Sequence, residues 1–161
     1  MTVFGGNTGT GFANDTWLLI YANGVVNVAV DIKPGSCPNP LHVESKDVLP
    51  VAILGTDSFD VNYIDLHNVY LEGIPPLRST FEDVSTPFSN GGDDPCLDCT
   101  EEGHDGKLDL VLEFNKHAVV WALGEVSNGD CVELTLTGEL VDDTPISGSD
   151  YVSINKRLHP N

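Results

Sequence analysis

The tightest constraint on this chain is the two-residue beat of its apolar side chains. Val26, Val28, Val30 and Ile32 alternate without interruption, and Val132, Leu134 and Leu136 do so against Glu133, Thr135 and Thr137. Leu108, Leu110, Leu112 and Phe114 share one side while Asp109 and Glu113 take the other; Val152 and Ile154 repeat the pattern between Tyr151, Ser153 and Asn155. A strand turns successive side chains to opposite faces, so this rhythm predicts half-buried strands. Val48 to Leu54 and Val119 to Leu123 are almost continuously apolar, as strands covered on both faces are. Short strands are also expected at Leu41 to Val43, Val69 to Leu71 and Phe81 to Val84. Lys33-Pro34-Gly35-Ser36, Asn23-Gly24 and Asn128-Gly129 supply breaks and turns. No segment keeps a helical period over ten residues. The expectation is an all-β fold, an antiparallel β-sandwich of about eight strands with one long acidic loop.

The length of 161 residues suits one well-buried domain, which reads as 25–161. Residues 1–24 stand apart. Thr2-Val3-Phe4-Gly5-Gly6 and Asn14-Asp15-Thr16-Trp17-Leu18-Leu19-Ile20-Tyr21 resemble about half of one Kelch repeat, with its Gly-Gly strand end and Asn-Asp-x-Trp strand. No second copy follows, and a propeller closes only with several blades, so a propeller is excluded within this chain. Two readings stay open: Met1 is internal to a longer reading frame with the blades upstream, or the segment is a strand pair that finds a partner sheet.

Charge narrows the partners. Against 25 acidic side chains stand 7 lysines and arginines, a net charge of -18. Such a surface repels nucleic acid and anionic membrane. No run of about 18 apolar residues occurs, so no membrane span is expected.

The acids concentrate between Glu82 and Asp109. Glu82, Asp83, Asp93, Asp94, Asp98, Glu101, Glu102, Asp105 and Asp109 face one base, Lys107. Carboxylates so dense repel one another unless something neutralises them. A hard divalent cation does so through oxygen ligands, and Ca2+ suits a flexible loop best. The aspartates also have ligand spacing, not density alone. A solvated acidic loop is the competing reading. The same stretch carries Cys96 and Cys99, with Cys37 and Cys131 outside it. An even number of cysteines in a loop-rich β protein favours disulfides and an oxidising, extracellular or cell-surface setting over a zinc site, which needs four converging ligands. A Cys96–Cys99 bond would cinch the loop and leave Cys37 and Cys131 to pair or stay free. Three connectivities remain open.

Other chemistry is thin. His42, His67, His104, His117 and His159 lack metal spacing, although His104 adjoins Asp105. Neither a nucleophile elbow nor a phosphate-cradling string occurs, and paired carboxylates say nothing in so acidic a chain, so no enzyme is expected. Trp17, Trp121, Tyr21, Tyr63, Tyr70 and Tyr151 are core residues or a sugar-stacking platform.

A resemblance covers about four fifths of the chain, from Val30 to about Ile154. Its residues are Asp31-Ile32-Lys33-Pro34-Gly35-Ser36, Val48-Leu49-Pro50-Val51-Ala52-Ile53-Leu54-Gly55-Thr56, Phe59-Asp60-Val61, Phe81-Glu82-Asp83-Val84, Gly106-Lys107-Leu108-Asp109-Leu110-Val111-Leu112-Glu113-Phe114 and Leu134-Thr135-Leu136-Thr137-Gly138. Together they resemble an uncharacterised β-domain common at the ends of secreted bacterial and archaeal proteins. Shorter relatives of that type carry a Glu-Asp-Val-Asn-Gly-Asp-Gly-x-x-Asp calcium-loop string. Here Glu82-Asp83-Val84 and Asp105-Gly106-Lys107-Leu108-Asp109 match its two ends around a cysteine-bearing insertion. The resemblance therefore implies Asp83, Asp105 and Asp109 as first ligands, with Glu82 beside them; Asp93, Asp94 and Asp98 come second, because they lie in the insertion and match nothing in that string. It implies no activity. The expected function is a non-catalytic extracellular calcium-binding accessory module of a secreted or surface protein. The alternatives are a module that binds extracellular or cell-surface polysaccharide, and a fibre or surface-layer subunit that self-associates by strand addition through Trp17 to Val30.

Overall fold

A computed structural model describes residues 24–87, 93–97 and 99–156. The Kelch-like pair expected over 1–24 lies outside these residues apart from Gly24, as do Asp98, Trp17, Tyr21 and His159.

Among these described residues, nine strands form two sheets: β1 (Val26–Asn27), β2 (Val30–Ile32), β3 (Pro40–His42), β4 (Val48–Ile53), β5 (Ile64–Leu71), β6 (Arg78–Glu82), β7 (Asp109–Asn115), β8 (Cys131–Leu140) and β9 (Pro145–Asn155). One sheet runs β1-β9-β8-β5, with β3 also on β9; the other runs β2-β4-β7-β6. The all-β sandwich expected from the sequence is thus the observed architecture. Its pairings are antiparallel except β1 and β3, which both lie parallel to β9, at Ile146–Ser147 and Ser153–Asn155 respectively.

The core lies between the sheets. Ile32, Leu49, Val51, Ile53, Leu110, Leu112 and Phe114 from one sheet meet Leu71, Leu134, Leu136, Ile146, Val152 and Ile154 from the other, all nearly or fully buried. These are the alternating positions of the sequence, and removing such surfaces from water is the main force holding the layers together.

Two expectations are corrected. Val26 to Ile32 is not one strand: the chain pairs with β9 at Val26, then crosses to pair with Ile53 of β4 at Val30. Every second residue still enters the core, so alternation survives a change of sheet. Gly148 makes the crossing fit, because a Cβ there would lie 2.3 Å from Val28 O and 2.7 Å from Val30 Cγ2. Val119 to Leu123 is not a strand either but part of helix α1 (Lys116–Leu123). Asn115 caps it by accepting from Ala118 N at 3.1 Å, and Gly124 closes it. Helix α1 follows directly on β7, and of its residues only Lys116 and Val119 are buried.

Candidate functional site: the 82–109 segment and its surroundings

The segment leaves the sheet at Glu82, the last residue of β6, and returns at Asp109, the first of β7; the two are cross-strand partners. Register therefore fixes both ends of the acidic insertion a few ångströms apart.

Carboxylates stitch the returning chain to the departing one. Asp83 Oδ1 accepts from Asp105 N at 3.0 Å and Asp83 Oδ2 from Gly106 N at 2.7 Å. Partial desolvation pulls the Asp83 carboxyl up, but the Asp105 and Gly106 amides, with smaller help from the Asp105 side chain and His104, outweigh it and hold its pKa below the usual value. Asp105 Oδ1 accepts from Lys107 N at 3.0 Å, forming a turn of its own. Lys107 reaches away from the segment, to Asp57 Oδ1 at 2.8 Å. That hydrogen-bonded pair lowers the Asp57 pKa and raises that of Lys107.

Asp109 differs from what alternation alone suggests. It is fully buried, although it faces away from the core side of β7. Its Oδ1 accepts from Gly55 N at 2.9 Å, and its Oδ2 from Val84 N at 2.8 Å and Ser85 N at 3.2 Å. Backbone from two other parts of the chain thus covers the outer face of the sheet here. Gly55 allows it, since a Cβ at that position would sit 2.1 Å from Leu108 O. Burial raises the Asp109 pKa against the lowering effect of the three amides, and the charge of Asp105 adds to the rise.

The cysteines anchor the middle of the segment. All four are in disulfides, as expected, but Cys96 and Cys99 do not bond each other. Cys37 pairs with Cys99 and Cys96 with Cys131, at Cα separations of 5.4 and 5.9 Å. Cys96 lies in a short 3-10 turn, Pro95–Leu97, whose start is held by Asp94 Oδ1 accepting from Cys96 N at 3.0 Å. From this turn and the residues just beyond it, one bridge runs to the β2–β3 connection and the other to the start of β8. Neighbours in sequence thus tie the segment to two places in the fold, which a bond between them would not do.

Asp83 and Asp105 are half-buried, while Glu82, Asp93, Asp94, Glu101 and Glu102 are exposed. Of the first-ranked trio, Asp83 is held against the Asp105 turn by backbone bonds and Asp109 clamps Val84 and Ser85 next to it in sequence, but the ligand atoms of the three do not all come within 4.8 Å of one another. Among the described residues, one set of three acidic or sulfur side chains has its ligand atoms all within 4.8 Å of one another: Asp94, Cys96 and Cys131. Its sulfurs share a disulfide, and the metal ligand is a thiolate, so that set is no metal centre.

Two further features were not named from the sequence. An open cleft beside Lys107 is lined by Asp57, Phe59, Asn62, Tyr63, Val141 and Asp142. The Tyr63 ring is 60% exposed there, and Trp121 on α1 is 74% exposed, so neither aromatic is a core residue. The second feature is a group of buried polar residues, Asp31, Asn39, Ser85 and Asp150. Asp150 shares a face with Val152 and Ile154, and an acid at a core-facing position was the available signal for it. The four described histidines are exposed.

No known protein-family profile matches the chain, and no curated protein matches it.

Proposed function

We propose that this protein is a non-catalytic extracellular accessory module whose 82–109 segment binds calcium. One observation carries the reading: the described parts of the acidic segment are tied to the fold by the protein's own bonds. Paired strands hold its ends, Asp83 and Asp109 accept five backbone amides, and two disulfides hold its middle. Asp83 and the Asp105 turn are therefore held half-buried side by side, while Glu82, Asp93, Asp94, Glu101 and Glu102 reach water. A cation beside this pair would offset its negative charge without disturbing the fold, and calcium's adaptable oxygen coordination suits carboxylates set at the mouth of a loop. Asp83 and Asp105 would supply carboxylates, with Glu82, Asp93 and Asp94 nearby in sequence and Asp109 fixing the frame. The disulfides favour an oxidising compartment. The resemblance to terminal domains of secreted proteins supports an accessory role.

Calcium binding to the folded state alone appears as stability, by about 2.7 kcal/mol at a hundredfold excess over Kd. The melting temperature rises with calcium and falls with chelator, and the Asp83→Asn/Asp105→Asn variant loses most of that rise. A melt unchanged by either reagent removes the claim.

The second reading, a polysaccharide-binding module, draws on the cleft, where the exposed Tyr63 ring stands beside Asp57, Asn62 and Asp142. Aromatic faces with flanking hydrogen-bonding groups suit sugar rings. Retention on insoluble polysaccharide, with and without calcium, separates the two readings.

A further inference from the structure

The cleft beside Lys107 exposes apolar side chains at one end of the core. Leu108, just before β7, shares its parity with Leu110, Leu112 and Phe114, which are fully buried, yet Leu108 is 42% exposed. Around it stand Phe59 and Leu140, packed on the core, and Tyr63 and Val141, which are 60% and 65% exposed. The space they leave is open to water and measures about 1150 Å³, more than most small-molecule pockets hold. Apolar side chains grouped in this way mark a surface that something covers.

The described chain begins at this same end of the sandwich. Strand β1 lies parallel to β9 with Val26 opposite Ile146, so the residues before Val26 head past Pro145 toward the β8–β9 turn. That turn, in which Leu140 N donates to Thr144 O at 2.8 Å, brings Val141 and Asp142 to the cleft, and Val141 N donates to Tyr63 O at 2.8 Å. Leu54 N donates to Ala29 O at 2.9 Å, and the next residue, Gly55, also lines the cleft. In the order β1-β9-β8-β5, neighbouring strands stand about 4.8 Å apart, which puts β8 about 10 Å across the sheet from β1. Ala22-Asn23-Gly24-Val25 spans about 13 Å when extended, enough for that crossing with the bend that Gly24 allows at φ 79°.

Immediately before these four residues comes Trp17-Leu18-Leu19-Ile20-Tyr21, five large apolar or aromatic side chains in a row and no charge. Removing such a run from water is favourable wherever an apolar surface lies within reach. The rim suits it as well. Asp60 and Asp142 line the cleft, and their carboxylates are acceptors for an indole N–H and a phenol O–H, the polar tips that buried tryptophan and tyrosine need to satisfy.

We propose that Trp17 to Tyr21 docks in this cleft of its own chain and completes the core at that end of the sandwich. The inference rests on neither functional reading above, and a polysaccharide would reach the cleft only by displacing the segment.

The test uses the whole chain. Trp17 and Trp121 are its two tryptophans, and Trp121 is 74% exposed, so a Trp121→Phe background leaves Trp17 as the single reporter. In that background the Trp17 emission lies to the blue of free tryptophan amide, and acrylamide quenches it severalfold less. Val141→Asp sets a charge in the cleft, moves the emission to the red and restores the quenching. Leu77→Ser alters a side chain that is 58% exposed outside the cleft, and it moves neither. Should Val141→Asp fold poorly by circular dichroism, Tyr63→Ser takes its place, since it removes the exposed ring without adding charge. Emission like that of the free amide with the cleft intact overturns the proposal. So does a blue shift that neither cleft variant moves, because the segment then packs elsewhere. A blue shift that fades on dilution gives the cleft to the segment of a second copy and overturns docking within one chain.

Discussion

Replacing Asp109 by asparagine separates two roles that its position allows, a clamp for the backbone and a ligand for a metal. Asp109 accepts three amides, from Gly55 at 2.9 Å, Val84 at 2.8 Å and Ser85 at 3.2 Å, and is fully buried. Asparagine keeps the shape but has one oxygen. Turned toward Val84 and Ser85, it presents its NH2 to the Gly55 N–H, so one bond is lost and two donors face each other. A hydrogen bond to a charged acceptor contributes about 1.5–3 kcal/mol, and stranding a buried donor costs about 1–3 kcal/mol. The two surviving bonds lose their charge assistance, roughly halving each. Against this, the variant no longer buries a charge, which offsets part of the loss. The net expectation is a destabilisation of about 3 kcal/mol, large for a single substitution.

The assay is urea unfolding followed by far-ultraviolet circular dichroism at neutral pH, once in excess chelator and once in millimolar calcium. If Asp109 is a clamp, the deficit is present in chelator and changes little with calcium. A variant within about 0.5 kcal/mol of wild type in chelator, the range of an ordinary surface substitution, refutes the clamp. A deficit that emerges only with calcium makes Asp109 a ligand first.

Two further predictions follow from the covalent frame and the buried acid. Replacing Cys37 and Cys99 by serine frees a crosslink of sequence separation 62, and chain entropy puts the loss at about 4 kcal/mol. A shift in unfolding free energy under about 1 kcal/mol would show that the segment holds its place without the bridge. In chelator, Asp31 has a folded pKa raised to about 6 from 3.8, so the folded state binds its proton more tightly than the unfolded state. That contribution is fully present below about pH 3.8 and is lost as pH rises through about 6. Wild-type stability relative to Asp31→Asn therefore falls by up to about 3 kcal/mol between these limits, as urea titrations at several pH values measure. A difference that is flat with pH shows that Asp31 does not titrate in this window.

The layered β architecture was legible because alternation is a local property. A residue's side of its strand follows from the parity of its position, so Leu110, Leu112 and Phe114, or Leu134 and Leu136, declare a core wherever their strands go. Helix α1 was misread as a strand, because an apolar run of five residues reads equally well as either; Asn115 before it and Gly124 after it were the capping signals that mark it as a helix. The density of acids between Glu82 and Asp109 and the commitment of four cysteines to disulfides also followed from the residues themselves.

What lies on the far side of a strand did not follow. Asp109 and Asp31 occupy outward positions that parity assigns to water, and both are fully buried because Val84, Ser85 and Gly55 fold across the sheet from elsewhere in the chain. Disulfide partners were equally hidden, since Cys96 and Cys99 are three residues apart in sequence yet bond to positions 35 and 62 residues away. Parity is carried by the chain itself. Cover and pairing depend on segments far apart in sequence, and only the closing of the two sheets brings them together.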